Sequence, residues 1–146
     1  MKTLLFILLG VGGIMVNANS SFATELKIRV SNIDVKRGGD IIVMIFAEDG
    51  FPKMHEKAHF IQTKNALQET MDFRFDLKMH EFAVKVLHDE NGDGKVTKNW
   101  TGIYPKEGLG FSNGQRVSIK GAPKYKKSKV LKEQINDGLN ISIRYP

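Results

Sequence analysis

Three groups of side chains in this sequence have the types and spacing to do chemistry. The first is an acidic turn, Asp89-Glu90-Asn91-Gly92-Asp93-Gly94-Lys95. Side-chain oxygens at alternate positions, followed by a glycine that lets the chain turn sharply, converge on calcium in the first half of an EF-hand loop, and the Lys95 carbonyl would be the next ligand. The twelfth position is Trp100 where a bidentate Glu is needed, and strand residues replace the entering helix, so an EF-hand is excluded. Glu107 is the candidate to close the calcium shell from farther along the chain. The plainer reading is a solvated Asn-Gly and Asp-Gly turn, since both dipeptides favour positive φ.

The second group is His55-Glu56-Lys57-Ala58-His59, which satisfies H-E-x-x-H. On a helix, His55 and His59 would bind zinc one turn apart while Glu56 activates water, with His80 or Glu81 as third ligand. A small zinc metallohydrolase is the enzymatic alternative this pattern supports, and a chance match on a surface helix is the bland one. The third group is Lys124, Lys126, Lys127, Lys129 and Lys132 around Tyr125. Lysines on an outward strand face blunt edge pairing; the functional reading is contact with an anionic envelope surface. Nucleic acid is not expected, because aromatics are not interleaved as a single-strand groove requires.

The elements that must position these groups read as strands. Leu26, Ile28 and Val30 alternate with polar residues, as do Met71, Phe73, Phe75 and Leu77, and then Phe82, Val84, Val86 and His88. Ile41 to Ala47 is a continuous apolar run that suits a central strand buried on both faces. Val117–Ile119 and Val130-Leu131 are short strand candidates, and Ile141, Ile143 and Tyr145 form the last. The expected fold is all-β: an antiparallel β-sandwich of about seven strands, immunoglobulin- or transthyretin-like. One short helix is expected in Pro52 to Leu67, where Met54, Ala58 and Ile61 recur at helical spacing after a proline. An outer-membrane barrel is disfavoured, because its strands run to about 9–11 residues with a lipid-facing band.

Met1 to Ala23 has the form of a signal peptide: Lys2, an apolar run from Leu4 to Val16, and small residues at Ser21 and Ala23. The expected mature chain is a single domain over 24–146, periplasmic or secreted, with no transmembrane segment and a charge of +5 once Lys2 is removed from the +6 total. The chain contains no cysteine, so no disulfide offsets its conformational entropy. It has no Ser/His/Asp or Cys/His constellation and no phosphate loop, which favours a non-enzymatic binding or accessory module.

Phe82-Ala83-Val84 leading into His88-Asp89-Glu90-Asn91, then Gly92-Asp93-Gly94-Lys95, Gly102, Pro105, Glu107-Gly108, Gly110-Phe111-Ser112-Asn113 and Pro123 resemble a bacterial family of small exported proteins classed as a domain of unknown function. The resemblance implies an exported β-sandwich with no established activity, cofactor or partner. The chain departs from it at Thr97, where the family often carries Asp, and at Tyr104, an additional residue before Pro105. Asp89 to Asn113 is accordingly expected to form an ordered excursion. Its glycines should serve turns or close approaches, Phe111 and Trp100 should pin it, Glu107 should point back at the acidic turn, and His88 should orient the loop through backbone carbonyls.

Overall fold

A computed structural model describes residues 24–146 of the protein; the signal peptide expected over Met1 to Ala23 lies outside the described residues. Eight strands follow one another: β1 (Thr24–Ser31), β2 (Asp40–Phe46), β3 (Phe60–Asn65), β4 (Met71–Leu77), β5 (Glu81–Asp89), β6 (Gly108–Phe111), β7 (Val130–Leu131) and β8 (Leu139–Ser142), with one short helix, α1 (Tyr125–Ser128), before β7. They form two sheets, β4-β1-β8 and β3-β2-β5-β6, with β7 paired to the first two residues of β5. The fold is an all-β sandwich. Its pairing is antiparallel apart from β1 and β8, which run parallel with Ile28 opposite Leu139.

The two sheets differ in what their outer faces meet. In the three-stranded sheet, Leu26, Ile28, Val30, Phe73, Phe75 and Leu77 face the core. The alternate positions are solvated and carry cross-strand ion pairs, Asp72 with Arg29 (2.8 Å) and Lys27 (3.2 Å), and Arg74 with Glu25. This is the alternation expected of a sheet with one wet face. The larger sheet has no wet face at its centre. Ile41, Val43, Ile45, Phe82, Val84 and Val86 fill the core between the sheets, while Ile42, Met44, Phe46, Leu87, Leu109 and Phe111 form a second apolar cluster on the opposite side. Phe51, Ala58, Val96 and Val117, all from connecting segments, pack on that second cluster. The uninterrupted apolar run of β2 thus has a physical cause: both of its faces are covered.

The helix expected in Pro52 to Leu67 does not form. His55–Lys57 makes a single 3₁₀ turn, and Phe60–Asn65 is strand β3, paired along β2 from Asp40↔Asn65 to Ile45↔Phe60. Met54 and Ile61, two of the three residues at helical spacing, are exposed, so that period never marked a buried face. Pairing with a central strand that would otherwise present unsatisfied backbone groups outweighs a weak local preference. Edge strand β3 also closes the side of the sandwich, Gln62 and Lys64 donating to the backbone carbonyls of Arg74 and Asp72 on β4, each at 2.6 Å.

Val117–Ile119 is not a strand: Ser118 and Gly121 exchange backbone hydrogen bonds across a tight turn, and Ile119 is exposed. The strand hidden from a propensity reading is β6, Gly-Leu-Gly-Phe. A Cβ on Gly110 would lie 2.7 Å from Ile141 Cγ2, and one on Gly108 would lie 2.5 Å from Ile143 Cγ2. These two glycines leave the inner face of β6 bare so that the C-terminal strand can lie directly on it, a close approach and not a turn.

Candidate functional site

The acidic turn is closed by its own backbone. Asp89, buried at the end of β5, accepts from the amides of Gly92 (2.9 Å) and Gly94 (2.7 Å) through its two carboxylate oxygens. Asp93 accepts from the Lys95 amide at 2.8 Å, and Asn91 accepts from the Asp93 amide while donating to Asp93 and Thr97. Glu107 does reach back to this turn. It is 3% exposed and accepts from the amides of Glu90 (3.0 Å) and Thr97 (2.8 Å). These are interlocking Asx and carboxylate caps, the means by which short polar side chains satisfy amides that no ladder pairs. Beyond them the chain continues as a hairpin-like arm, with Asn99 and Lys106 donating to the carbonyls of Tyr104 and Thr97. Phe111 is buried as expected, whereas Trp100 stands at the tip of the arm 96% exposed and pins nothing.

His88 orients the base of this region from inside the molecule. It has no exposed surface; its Nε2–H donates to the Gly38 carbonyl and its Nδ1 accepts from the Tyr145 hydroxyl, both at 2.6 Å. The Tyr145 oxygen in turn accepts from the Asp34 amide at 2.8 Å, and burial pushes that phenol above its ordinary pKa. Ser112 and Asn113 tie the far end of β6. The Ser112 hydroxyl accepts from the Val84 amide and donates to the Ser128 carbonyl, and Asn113, at a φ of 56°, donates to the Lys129 carbonyl at 2.7 Å.

The histidines of the H-E-x-x-H sequence separate. The 3₁₀ turn ends at Ala58, whose backbone is extended, so His55 and His59 do not share a helical face. His59 is exposed, and Glu81 is engaged by Lys129 at 2.8 Å. Among the described residues, no three His, Cys, Asp or Glu side chains gather as a metal would need. In the basic tract, Lys129 is held by Glu81 and Lys132 by the Leu77 carbonyl, leaving Lys124, Lys126 and Lys127 exposed around α1.

His55 leads elsewhere, to a residue the spacing of motifs did not single out. Lys85 lies in the middle of β5, opposite Met44 on β2 and Phe111 on β6, and is only 4% exposed. Its Nζ donates to the Pro52 carbonyl (2.8 Å) and lies 2.7 Å from His55 Nε2. His55 Nδ1 is 3.0 Å from the Gly94 carbonyl, which can only accept. The ring is therefore protonated at Nδ1 and takes the Lys85 hydrogen at Nε2. Burial, then the Lys85 charge, lower the His55 pKa and keep the ring neutral. Burial alone brings Lys85 down to about 8. The sequence held a signal for this: Ala83, Leu87, Met44 and Phe46 surround Lys85 with apolar neighbours on the face that alternation assigned to solvent.

Lys85 and His55 border a cleft of about 610 Å³ on the covered side of the larger sheet. Val96, Ile103, Pro105, Leu109, Phe111 and Val117 make most of its apolar wall, and Lys53, Glu56, Asp93, Lys95 and Lys98 its charged edge. The acidic turn thus contributes one side of the cleft, the segment following Phe51 another, and the Ser118–Gly121 turn the third. A concave, apolar space with a few convergent polar groups is the usual form of a small-molecule site.

Fold and site together define a β-sandwich with a loop-walled cleft over one sheet, held in place by the Asp89-to-Asn113 motif. The chain belongs to the bacterial family described as "Uncharacterized protein conserved in bacteria (DUF2141)", whose model matches residues 28–137, about three quarters of the sequence. No curated protein and no solved structure matches it.

Proposed function

We propose that this protein is an exported, non-enzymatic binding module whose ligand site is the cleft between the acidic turn, the segment after Phe51 and the Ser118–Gly121 turn. The observation that carries this reading is the apolar outer cluster of the larger sheet. A sandwich needs only its inner faces to be apolar, yet here the outer face carries a second apolar cluster, and its Leu109 and Phe111, with the half-buried Val96 and Val117 packed on it, line the cleft. The Asp89-to-Asn113 segment supports the same reading, since Asp89 and Glu107 shape one wall and Ser112 and Asn113 fasten the strand that carries Leu109 and Phe111.

Nile red, an uncharged apolar dye, is expected to bind saturably and one to one with a blue-shifted emission. Val117→Asp, which places a carboxylate in the half-buried wall, should weaken that binding by about tenfold or more without unfolding the protein. Unsaturable binding, or binding indifferent to Val117→Asp, would remove the cleft from consideration.

Calcium at Asp89, Asn91, Asp93, the Lys95 carbonyl and Glu107 is not part of this proposal, because the carboxylates that would hold the ion already satisfy backbone amides and the turn keeps its shape through them. Melting in calcium and in chelator should give the same midpoint. A calcium-dependent rise abolished by Asp93→Ala would restore the ion as the ligand. The zinc hydrolase alternative gains nothing from the placement of His55, whose two ring nitrogens are engaged by Lys85 and Gly94.

A further inference from the structure

The chemical class of ligand follows from one group in the cleft, and this step rests on the proposed use of that cleft. Lys85 has lost nearly all its contact with water. Both of its acceptors, the Pro52 carbonyl and the His55 ring, are uncharged. Among the described residues no carboxylate lies within ion-pair distance of it. The anionic residues that border the cleft, Glu56 and Asp93, are exposed and share its edge with Lys53, Lys95 and Lys98, so that edge does not supply a buried counter-ion. Buried charges in proteins are ordinarily matched by an opposite charge, because removing an ion from water is costly and only a close partner offsets it. An ammonium also has three hydrogens, and two are used.

We infer that the cleft takes a carboxylic acid with an apolar body, whose carboxylate is the missing counter-ion of Lys85 and whose body lies against Val96, Ile103, Leu109, Phe111 and Val117. The third ammonium hydrogen is the donor. A phosphate or phosphate ester suits the site less well, since a dianion calls for several donors in a forked arrangement and no arginine borders the cleft. The surplus of lysine over acid at the edge attracts an anion without fixing its head, which leaves Lys85 to set the preference.

Decanoate and decanol, alike in chain and different in head, competed against Nile red on the purified protein, separate the two claims. Decanoate is expected to displace the dye at a concentration at least about tenfold lower than decanol. Lys85→Met should abolish that preference by raising the decanoate concentration needed to that of decanol. Lys85→Gln, which keeps a donor and removes the charge, is read in the same way if the methionine variant does not fold. The double variant Lys53→Gln, Lys98→Gln should retain the preference. Dye binding with no advantage for decanoate overturns the carboxylate inference and leaves the binding role standing. A preference that survives Lys85→Met and Lys85→Gln, or disappears with the edge lysines alone, overturns it as well. Failure of the dye to bind at all strikes the proposed function on which the inference rests.

Discussion

Lys85→Met should make the unliganded protein more stable. Burial holds the Lys85 pKa at about 8 against an ordinary 10.5. With each unit worth about 1.4 kcal/mol, the charged amine costs the fold about 3 kcal/mol at neutral pH. Methionine has a similar length and no charge, and Met44, Leu87 and Phe111 are apolar neighbours for it. Losing the bonds to the Pro52 carbonyl and to His55 returns about 1 kcal/mol each, so the net gain is about 1 kcal/mol, or a midpoint higher by about 4 °C.

The pH dependence gives the sharper reading. Because the folded pKa lies below the unfolded one, the unfolded chain binds more protons between pH 8 and 10.5, and the stability of the unmodified protein rises across that window. Tyr125, pushed up to about 12, and Tyr145, also raised, act in the opposite sense above pH 10 and are common to both proteins. Subtracting the Lys85→Met curve from the parent curve therefore isolates the lysine. Equal slopes in chemical denaturation between pH 8 and 10 would mean that the amine is not buried as described. A methionine variant that is less stable at pH 7 would make the lysine a structural fixture.

Glu107→Ala should have the larger effect, in the other direction. One buried carboxylate satisfies the amides of Glu90 and Thr97, at the two ends of the acidic turn. Removing it leaves two half-buried donors without their acceptor. At about 1–3 kcal/mol for each orphaned group, the fold should lose about 2–6 kcal/mol and its midpoint should fall by about 10 °C or more. Glu107→Gln keeps one acceptor oxygen and turns an amide nitrogen toward the other N–H, so its loss should be intermediate. Because the damage is local, limited proteolysis should cut the alanine variant between residues 90 and 107 at temperatures where its sandwich is still folded. A midpoint within about 2 °C of the parent would show that water takes over from the carboxylate.

The reach of the sequence follows from how many neighbours each residue answers to. Strands β1, β4 and β5 were legible because one face meets the core and the other was taken to meet water, which writes period two into the chain. The same rule concealed Lys85: on β5 the second face is covered too, and alternation alone assigned its residues to solvent. Pro52 to Leu67 read as a helix because three apolar residues happened to fall at helical spacing, while its real partner, the edge of β2, lies outside that window, 15 to 25 residues earlier. β6 was hidden for a related reason, its glycines answering to Ile141, Ile143 and Tyr145 some thirty residues later. Glu107 was legible because the acidic turn needed an oxygen from beyond itself, and its two carboxylate oxygens meet the amides of Glu90 and Thr97 there. His55 was singled out for the H-E-x-x-H pattern, whereas the partner the fold gives it, Lys85, belongs to no motif.

The parallel pairing of β1 with β8 bears on when this molecule becomes a folded object. β1 stands between β4 and β8, so the smaller sheet stays incomplete until Leu139–Ser142 arrive, and His88 has no hydroxyl to accept from until Tyr145 is in place. Gly108 and Gly110 leave a trough along β6 that residues Ile141 to Tyr145 of this same segment fill. A chain emerging from a ribosome therefore carries β1 unsatisfied on one edge until Leu139–Ser142 have followed it. Contacts of such long sequence separation delay closure. The topology thus acts as a clock, tying completion of the smaller sheet to a strand made more than a hundred residues after the one it pairs with.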